Sequence, residues 1–275
     1  MMHVSLEALQ NGDRAPHRDL RTAVRRFGLH TELHRPSTER HLLLPDAYVE
    51  LHVYAGASWY EGADGVRRPL PPAFVIGARA TPGILISPGL VRVASVSMHR
   101  WRAARLLRLE SVQGIRTDVG PELEALGKRV ARLLEEGGGD EALARVEAWL
   151  LDRMPKDDEV HEALDAAFFE LHATQGAARI APLAAELGLS VRQLERRFKD
   201  IAGVSPKGMA RLIRFSAAHE RIELDASANL AALACELGYT DQAHFIREFR
   251  GFSGITPGQY ARTMQNAVRA RLTAD

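Results

Sequence analysis

Arg192, Arg196, Arg197, Lys199, Lys207, Arg211 and Arg214 crowd one short stretch of this 275-residue chain, against only Glu195 and Asp200. A local excess of about five positive charges suits a surface that holds phosphates, and it equally suits a solvated helix face. The spacing says more. Arg192, Glu195, Arg196 and Lys199 recur at i, i+3, i+4 and i+7, so a helix would align them on one face. Val191, Leu194, Phe198 and Ile201 would align on another. One stripe for a core and one of long polar side chains is what a recognition helix in a DNA major groove requires.

Other chemistry finds less support. His30, His34, His41, His52 and His99 raise a metal site, but a close His-x-His followed by Glu is missing, so no metal and no cofactor is expected. Neither a Gly-x-Ser-x-Gly nucleophile motif nor a Gly-x-x-x-x-Gly-Lys-Ser/Thr phosphate loop occurs, so the chain is not expected to be an enzyme. Cys235 is the one cysteine, which excludes an internal disulfide framework. It falls on the apolar side of a short helix, where burial would make it an inert packing residue.

The helix that carries the basic stripe belongs to an internal repeat. Leu183-Ala184-Ala185-Glu186-Leu187-Gly188 recurs as Leu233-Ala234-Cys235-Glu236-Leu237-Gly238. Phe198-Lys199 recurs as Phe249-Arg250, and Gly203-Val204-Ser205-Pro206 as Gly254-Ile255-Thr256-Pro257. Two copies are too few for a solenoid, so this is a duplicated module. Each copy reads as helix–turn–helix. Gly188 closes the first short helix in the left-handed conformation that glycine adopts cheaply, and Ser190 with Gln193 forms a capping-box pattern for the second. In the other copy Asp241 is the expected N-cap and Phe245, Phe249 and Phe252 the buried stripe. Its outward stripe holds Ala243, Ile246, Arg247 and Arg250, flanked by Gln242 and His244; it would read thymine methyls or mainly hold phosphate.

The whole-chain charge of +1 hides an asymmetry. Residues 1–175 hold 22 basic and 25 acidic side chains, a net of −3, whereas residues 176–275 hold 14 and 10, a net of +4. Length favours two domains, and the expected boundaries are 1–155 and 156–275. No apolar run approaches the ~18 residues of a membrane span, and the N-terminus lacks the layout of a signal peptide, so a cytoplasmic protein without a membrane partner is expected.

The first domain reads as mostly β. The first 30 residues show little pattern and suggest a loose arm or a short helix. Strands are expected at residues 41–44, 48–54, 73–76, 83–86 and 90–98, with Val49, Leu51 and Val53 on one face. Gly56, Gly62 and Gly65 mark a turn region. Short strands at this spacing suggest a small barrel or sandwich. Two helices follow. Pro121, Leu123, Leu126, Val130, Leu133 and Leu134 belong to one, which stops at Gly137-Gly138-Gly139. Leu143, Val146, Trp149 and Leu150 belong to the other, ending near Pro155. Their apolar faces suggest packing on a domain or a homodimer contact. After a charged break at residues 156–159, a further helix over about 160–174 ends at Gly176.

Residues 188–199 (Gly-Leu-Ser-Val-Arg-Gln-Leu-Glu-Arg-Arg-Phe-Lys) and 238–250 (Gly-Tyr-Thr-Asp-Gln-Ala-His-Phe-Ile-Arg-Glu-Phe-Arg), the latter followed by Gly-Ile-Thr-Pro, resemble the DNA-binding domain of the AraC/XylS family of bacterial transcription regulators. The resemblance covers about residues 160–265. It implies an all-α domain of two helix-turn-helix units joined by a linker helix, here about residues 206–224, with Met209, Leu212, Ile213 and Ile222 packing it. The whole would then be an α+β two-domain protein that binds double-stranded DNA in two adjacent major grooves. Carried over by position, the DNA-binding residues are Arg192, Glu195, Arg196, Lys199, Gln242, His244, Ile246, Arg247 and Arg250. Arg196 and Arg247 contact either guanine or phosphate; Glu195 accepts from cytosine N4 or holds Arg192 or Lys199 in place. The N-terminal half resembles, more weakly, the β-rich domain of one subgroup, through Leu44-Pro45-Asp46-Ala47, Val49-Glu50-Leu51, residues 70–77 and the run 91–98. In that family such domains sense a ligand, dimerise, or both. The resemblance thus implies a small-molecule effector, a homodimer and, for an activator, contact with RNA polymerase. The rival expectation is an enzyme or ligand-sequestering protein with an accessory DNA-binding domain.

Overall fold

A computed structural model describes residues 12–34, 39–79, 81–154 and 159–272. The first eleven residues, the expected helix end at Pro155 and most of the charged break lie outside the described residues. The chain divides into two units, the second made of the residues from the helix that follows this break as far as Asn266, together with Pro45–Ala47.

The N-terminal unit holds β1 (Asp13–Arg14), β2 (Val24–His34), β3 (Arg40–Leu43), β4 (Tyr48–Ala55), β5 (Trp59–Glu61), β6 (Arg67–Pro69), β7 (Ala73–Ile76), β8 (Gly83–Ile86), β9 (Gly89–His99) and β10 (Ile115–Arg116). It also holds α1 (Arg100–Leu107), α2 (Gly120–Glu135) and α3 (Gly139–Leu151). The choice between barrel and sandwich resolves as two separate antiparallel sheets. One has six strands in the order β1-β2-β9-β4-β7-β10, the other four in the order β3-β8-β5-β6. Alternation in β4 turns Val49, Leu51 and Val53 toward α2 and α3, where they pack with Val96, Met98, Leu126, Val130, Val146 and Leu150. On the opposite face Tyr54, Phe74, Ile76, Val91 and Val93 pack with Leu85 of the four-stranded sheet. The six-stranded sheet is therefore covered on both sides. The apolar stripes of α2 and α3, expected to serve either a domain or a dimer, are buried on this sheet.

Two stretches differ from expectation. Val24–His34 is an eleven-residue strand, not an arm or a short helix, and pairs with β9 from Val24↔Met98 to His34↔Gly89. Phe27, Leu29 and Leu33 do alternate, but a register irregularity between Val24 and Arg26 puts Val24 out of phase with them. The alternate face carries Arg26, His30, Glu32 and His34, so residues 27–34 alternate as a strand should, and only the start of the strand is hidden by the irregularity. The glycine-marked turn region contains the pair β5–β6. Its strands are short and β6 is exposed; Glu61 holds them through Arg67 (Nε to Oε2, 3.1 Å) and Arg40 of β3 (Nη2 to Oε1, 2.6 Å).

The C-terminal unit is built from α4 (Glu159–Ala173), α5 (Ile180–Glu186), α6 (Val191–Ala202), α7 (Pro206–Leu224), α8 (Leu230–Glu236), α9 (Gln242–Ser253) and α10 (Pro257–Leu272). The linker α7 packs against α4, α6 and α9. Its Met209, Leu212, Ile213 and Ile222 are buried. Aromatic pairs fasten each recognition helix: Phe198 of α6 lies 4.0 Å, centroid to centroid, from Phe168 of α4, and Phe249 of α9 lies 5.0 Å from Phe215 of α7.

Candidate nucleic-acid interface

Each recognition helix starts and stops through its own local chemistry. Ser190 caps α6: its hydroxyl accepts from Gln193 N, while the Gln193 side chain accepts from Ser190 N at 2.8 Å. Asp241 caps α9 by accepting from His244 N at 2.6 Å. Gly203 and Gly254 end the two helices with left-handed backbone. The repeated Gly-x-Ser/Thr-Pro is thus a stop followed by a start. Ser205 caps α7 by accepting from Gly208 N at 3.1 Å, and Thr256 exchanges bonds with Gln259 at the head of α10. Both copies therefore rebuild the same helix boundaries, and both put the recognition helix in the same place within its unit.

On α6, Leu194 and Phe198 are fully buried, while Arg192, Glu195, Arg196, Arg197 and Lys199 are exposed. Among the described residues none of these five side chains makes an ion pair or hydrogen bond with another side chain, and Glu195 is bonded to neither Arg192 nor Lys199. The apolar stripe is narrower than its spacing predicts. Val191 is 40% exposed, because it occupies the first helical position ahead of the core contact. Ile201 is half-buried, and Ala202 takes the inward place at that end.

On α9, Phe245 and Phe249 are fully buried and Phe252 is half-buried. Gln242, Arg247 and Arg250 are exposed, and Ile246 is half-buried. Among the described residues both arginines lack a side-chain partner. His244 departs from the outward stripe: it is half-buried, and its Nε2 lies 3.7 Å from Glu248. Glu248 is the residue that spacing overlooks. Its side chain is 3% exposed and meets Arg211 at 2.7 Å and Arg214 at 3.5 Å, both on α7. The signal was a carboxylate at a position between Phe245 and Phe252 on the buried stripe. Two of the seven cations of the basic stretch therefore face an internal carboxylate, leaving Arg192, Arg196, Arg197, Lys199 and Lys207 exposed. Burial, then the nearby Glu248 carboxylate, raises the Tyr239 phenol well above its ordinary value, so it stays neutral beside this cluster.

Cys235 is exposed, not buried. Its repeat partner Ala185 is exposed too; the inward residues of α8 are Leu233 and Ala234. The histidines expected to hold no metal are not scattered. The fold brings His34 and His41 together with Glu32. Among the described residues, no helix is long and apolar enough to cross a membrane.

Residues 183–263, which span both copies of the repeat, match the family model described as a helix-turn-helix domain. No curated protein sequence matches the chain. Among solved structures, ToxT from Vibrio cholerae aligns over 86% of this chain and 98% of its own at 10% identity, with a TM-score of 0.50. A structure of ToxT from Vibrio cholerae strain SCE256 with an unsaturated fatty acid bound aligns over 87% and 96% at 11% identity, TM-score 0.48. A transcriptional regulator with an AraC-type DNA-binding domain from Chromobacterium violaceum aligns over 37% and 91% at 24% identity, TM-score 0.34. The duplicated module, its matched caps and the family match together make residues 183–263 a helix-turn-helix domain, and the likeness to ToxT extends to the fold of most of the chain.

Proposed function

We propose that this chain is a transcription regulator of the AraC kind, which reads double-stranded DNA with α6 and α9 in two adjacent major grooves. Arg192, Glu195 and Arg196 face bases in one half-site, and Gln242, Ile246 and Arg247 in the other; Lys199 and Arg250 hold phosphate, and His244 serves mainly to face Glu248. The observation that carries the reading is the pair of capped helices whose outward cations have no side-chain partner among the described residues. Unpaired arginines on a fixed helix are available for bidentate contact with guanine. The protein acts by binding and not by catalysis. Its N-terminal unit senses a small molecule. Pairing of two copies, and contact with RNA polymerase where the outcome is activation, belong to the same reading.

Footprinting on the promoter region of its own gene tests this. Two protected patches roughly 34 Å apart on one face of the duplex are expected, weakening steeply as salt rises. Salt-insensitive protection, or none at any promoter, overturns it. Thermal shift of the intact chain against a ligand panel reads the effector, and sedimentation reads the pairing.

A further inference from the structure

Glu32 and His34 lie two apart on β2, so their side chains leave the same face of the six-stranded sheet. His41 lies on β3, in the four-stranded sheet. The three meet: Glu32 Oε2 is 3.0 Å from His34 Nε2, and the rings of His34 and His41 stand edge to face with centroids 4.4 Å apart. One donor atom from each residue lies within 4.8 Å of the other two. The His34 side chain is 3% exposed, and both His34 Nδ1 and His41 Nε2 are buried without a hydrogen-bond partner. Two imidazoles turned on each other in the interior, with nitrogen atoms left unpaired, are costly as a purely structural arrangement.

Imidazole nitrogen and carboxylate oxygen together suit zinc, cobalt, nickel or copper; calcium and magnesium prefer oxygen alone. Three protein ligands also leave a fourth tetrahedral position open. We propose that Glu32, His34 and His41 form a binding site for one divalent first-row transition-metal ion of the zinc class. The ion would clip β2 to β3 and so join the two sheets of the N-terminal unit. The site owes nothing to the DNA-binding reading and stands or falls separately.

The test uses the full chain, stripped with a chelator and titrated with Zn(II) by calorimetry, then with Co(II) by visible absorption. Saturable uptake of one ion per chain is expected, with a rise in melting temperature and the ligand-field bands of four-coordinate Co(II). His34→Gln and His41→Gln should each weaken binding at least tenfold and abolish the rise in melting temperature. His17→Gln, at an exposed histidine, should change neither. Circular dichroism checks that the variants fold. Should the histidine variants fail to fold, Glu32→Gln and the Co(II) spectrum of the unaltered chain decide. Absence of saturable binding, or binding undiminished in the variants, overturns the proposal.

Discussion

Arg211 on the linker helix donates from Nε to Glu248 Oε2 at 2.7 Å, joining α7 to a recognition helix 37 positions further along the chain. Glu248 is buried, and its other oxygen faces Arg214 at 3.5 Å. Glu248→Ala leaves the largely buried Arg214 without its carboxylate and removes the tie that sets the angle of α9. Losing one partner of a buried pair costs 3–5 kcal/mol; with Arg211 about half exposed, roughly 2–4 kcal/mol is expected here. Urea unfolding measures the loss. Footprints should show protection lost first at the half-site read by α9, and Glu248→Gln should be milder on both counts.

The double helix-turn-helix was legible because its information is local. Caps such as Ser190–Gln193 and the inward Leu194 and Phe198 sit within one or two turns of each other, where a periodicity of 3.6 exposes them. The β unit was only partly legible. In β4 one face is apolar and buried, and alternation reveals it; in β2 residues 27–34 alternate too, but the irregularity after Val24 breaks the phase at the start of the strand and Leu33 on its apolar face is exposed. Glu32, His34 and His41 come together only because β2 and β3 belong to facing parts of the two-sheet unit, a relation that no spacing encodes. Cys235 was misread for another reason: similarity to Ala185 transferred position correctly, but that position is exposed in both copies.

Gly188 and Gly176 both adopt positive φ, at 64° and 78°, yet their replacement should differ. A Cβ at Gly188 meets nothing within 4 Å, so Gly188→Ala adds backbone strain alone, about 1 kcal/mol. A Cβ at Gly176 would lie 2.2 Å from the Ala210 carbonyl oxygen of α7, and the Gly176 carbonyl accepts from Arg214 at 2.7 Å. Gly176→Ala must move backbone against backbone and should lose clearly more. Equal shifts of the two urea midpoints would show that the α4–α7 contact yields easily.

Arg192→Ala and Arg250→Ala separate reading from holding. Arg192 is exposed on the first turn of α6; its loss should relax preference at one or two base positions by about 1–3 kcal/mol each. Arg250 lies in the last turn of α9, and its loss should weaken binding to all sequences alike and reduce the salt slope by about one. Selection from a randomised site, repeated at two salt concentrations, distinguishes the two. A uniform loss for Arg192→Ala would make it a phosphate contact.

Exposure of Cys235 predicts that the native protein reacts with one equivalent of a chromogenic thiol reagent, without the lag that unfolding would impose. Reaction only after denaturant is added would place the thiol inside.

Glu50 and His52 on β4 make the N-terminal unit sensitive to acid. Burial alone would raise the Glu50 carboxyl. The hydrogen bond to His52 Nε2 at 2.8 Å outweighs it, helped by the Arg26 guanidinium and the Ser97 hydroxyl, and the carboxyl is held down to about 2. A folded value below the unfolded one, which is ordinarily near 4.5, means that the ionised group stabilises the fold at neutral pH. That contribution is complete above the unfolded value and disappears as pH falls from there through about 2. Glu50→Gln should therefore cost about 1–3 kcal/mol at pH 7, with the gap from the unaltered chain closing as the medium is acidified across that window. Urea midpoints of both proteins at neutral pH and at successive steps below the unfolded value measure the gap. A difference that stays constant across the window would mean that the substitution acts through packing and that the carboxylate's charge contributes nothing.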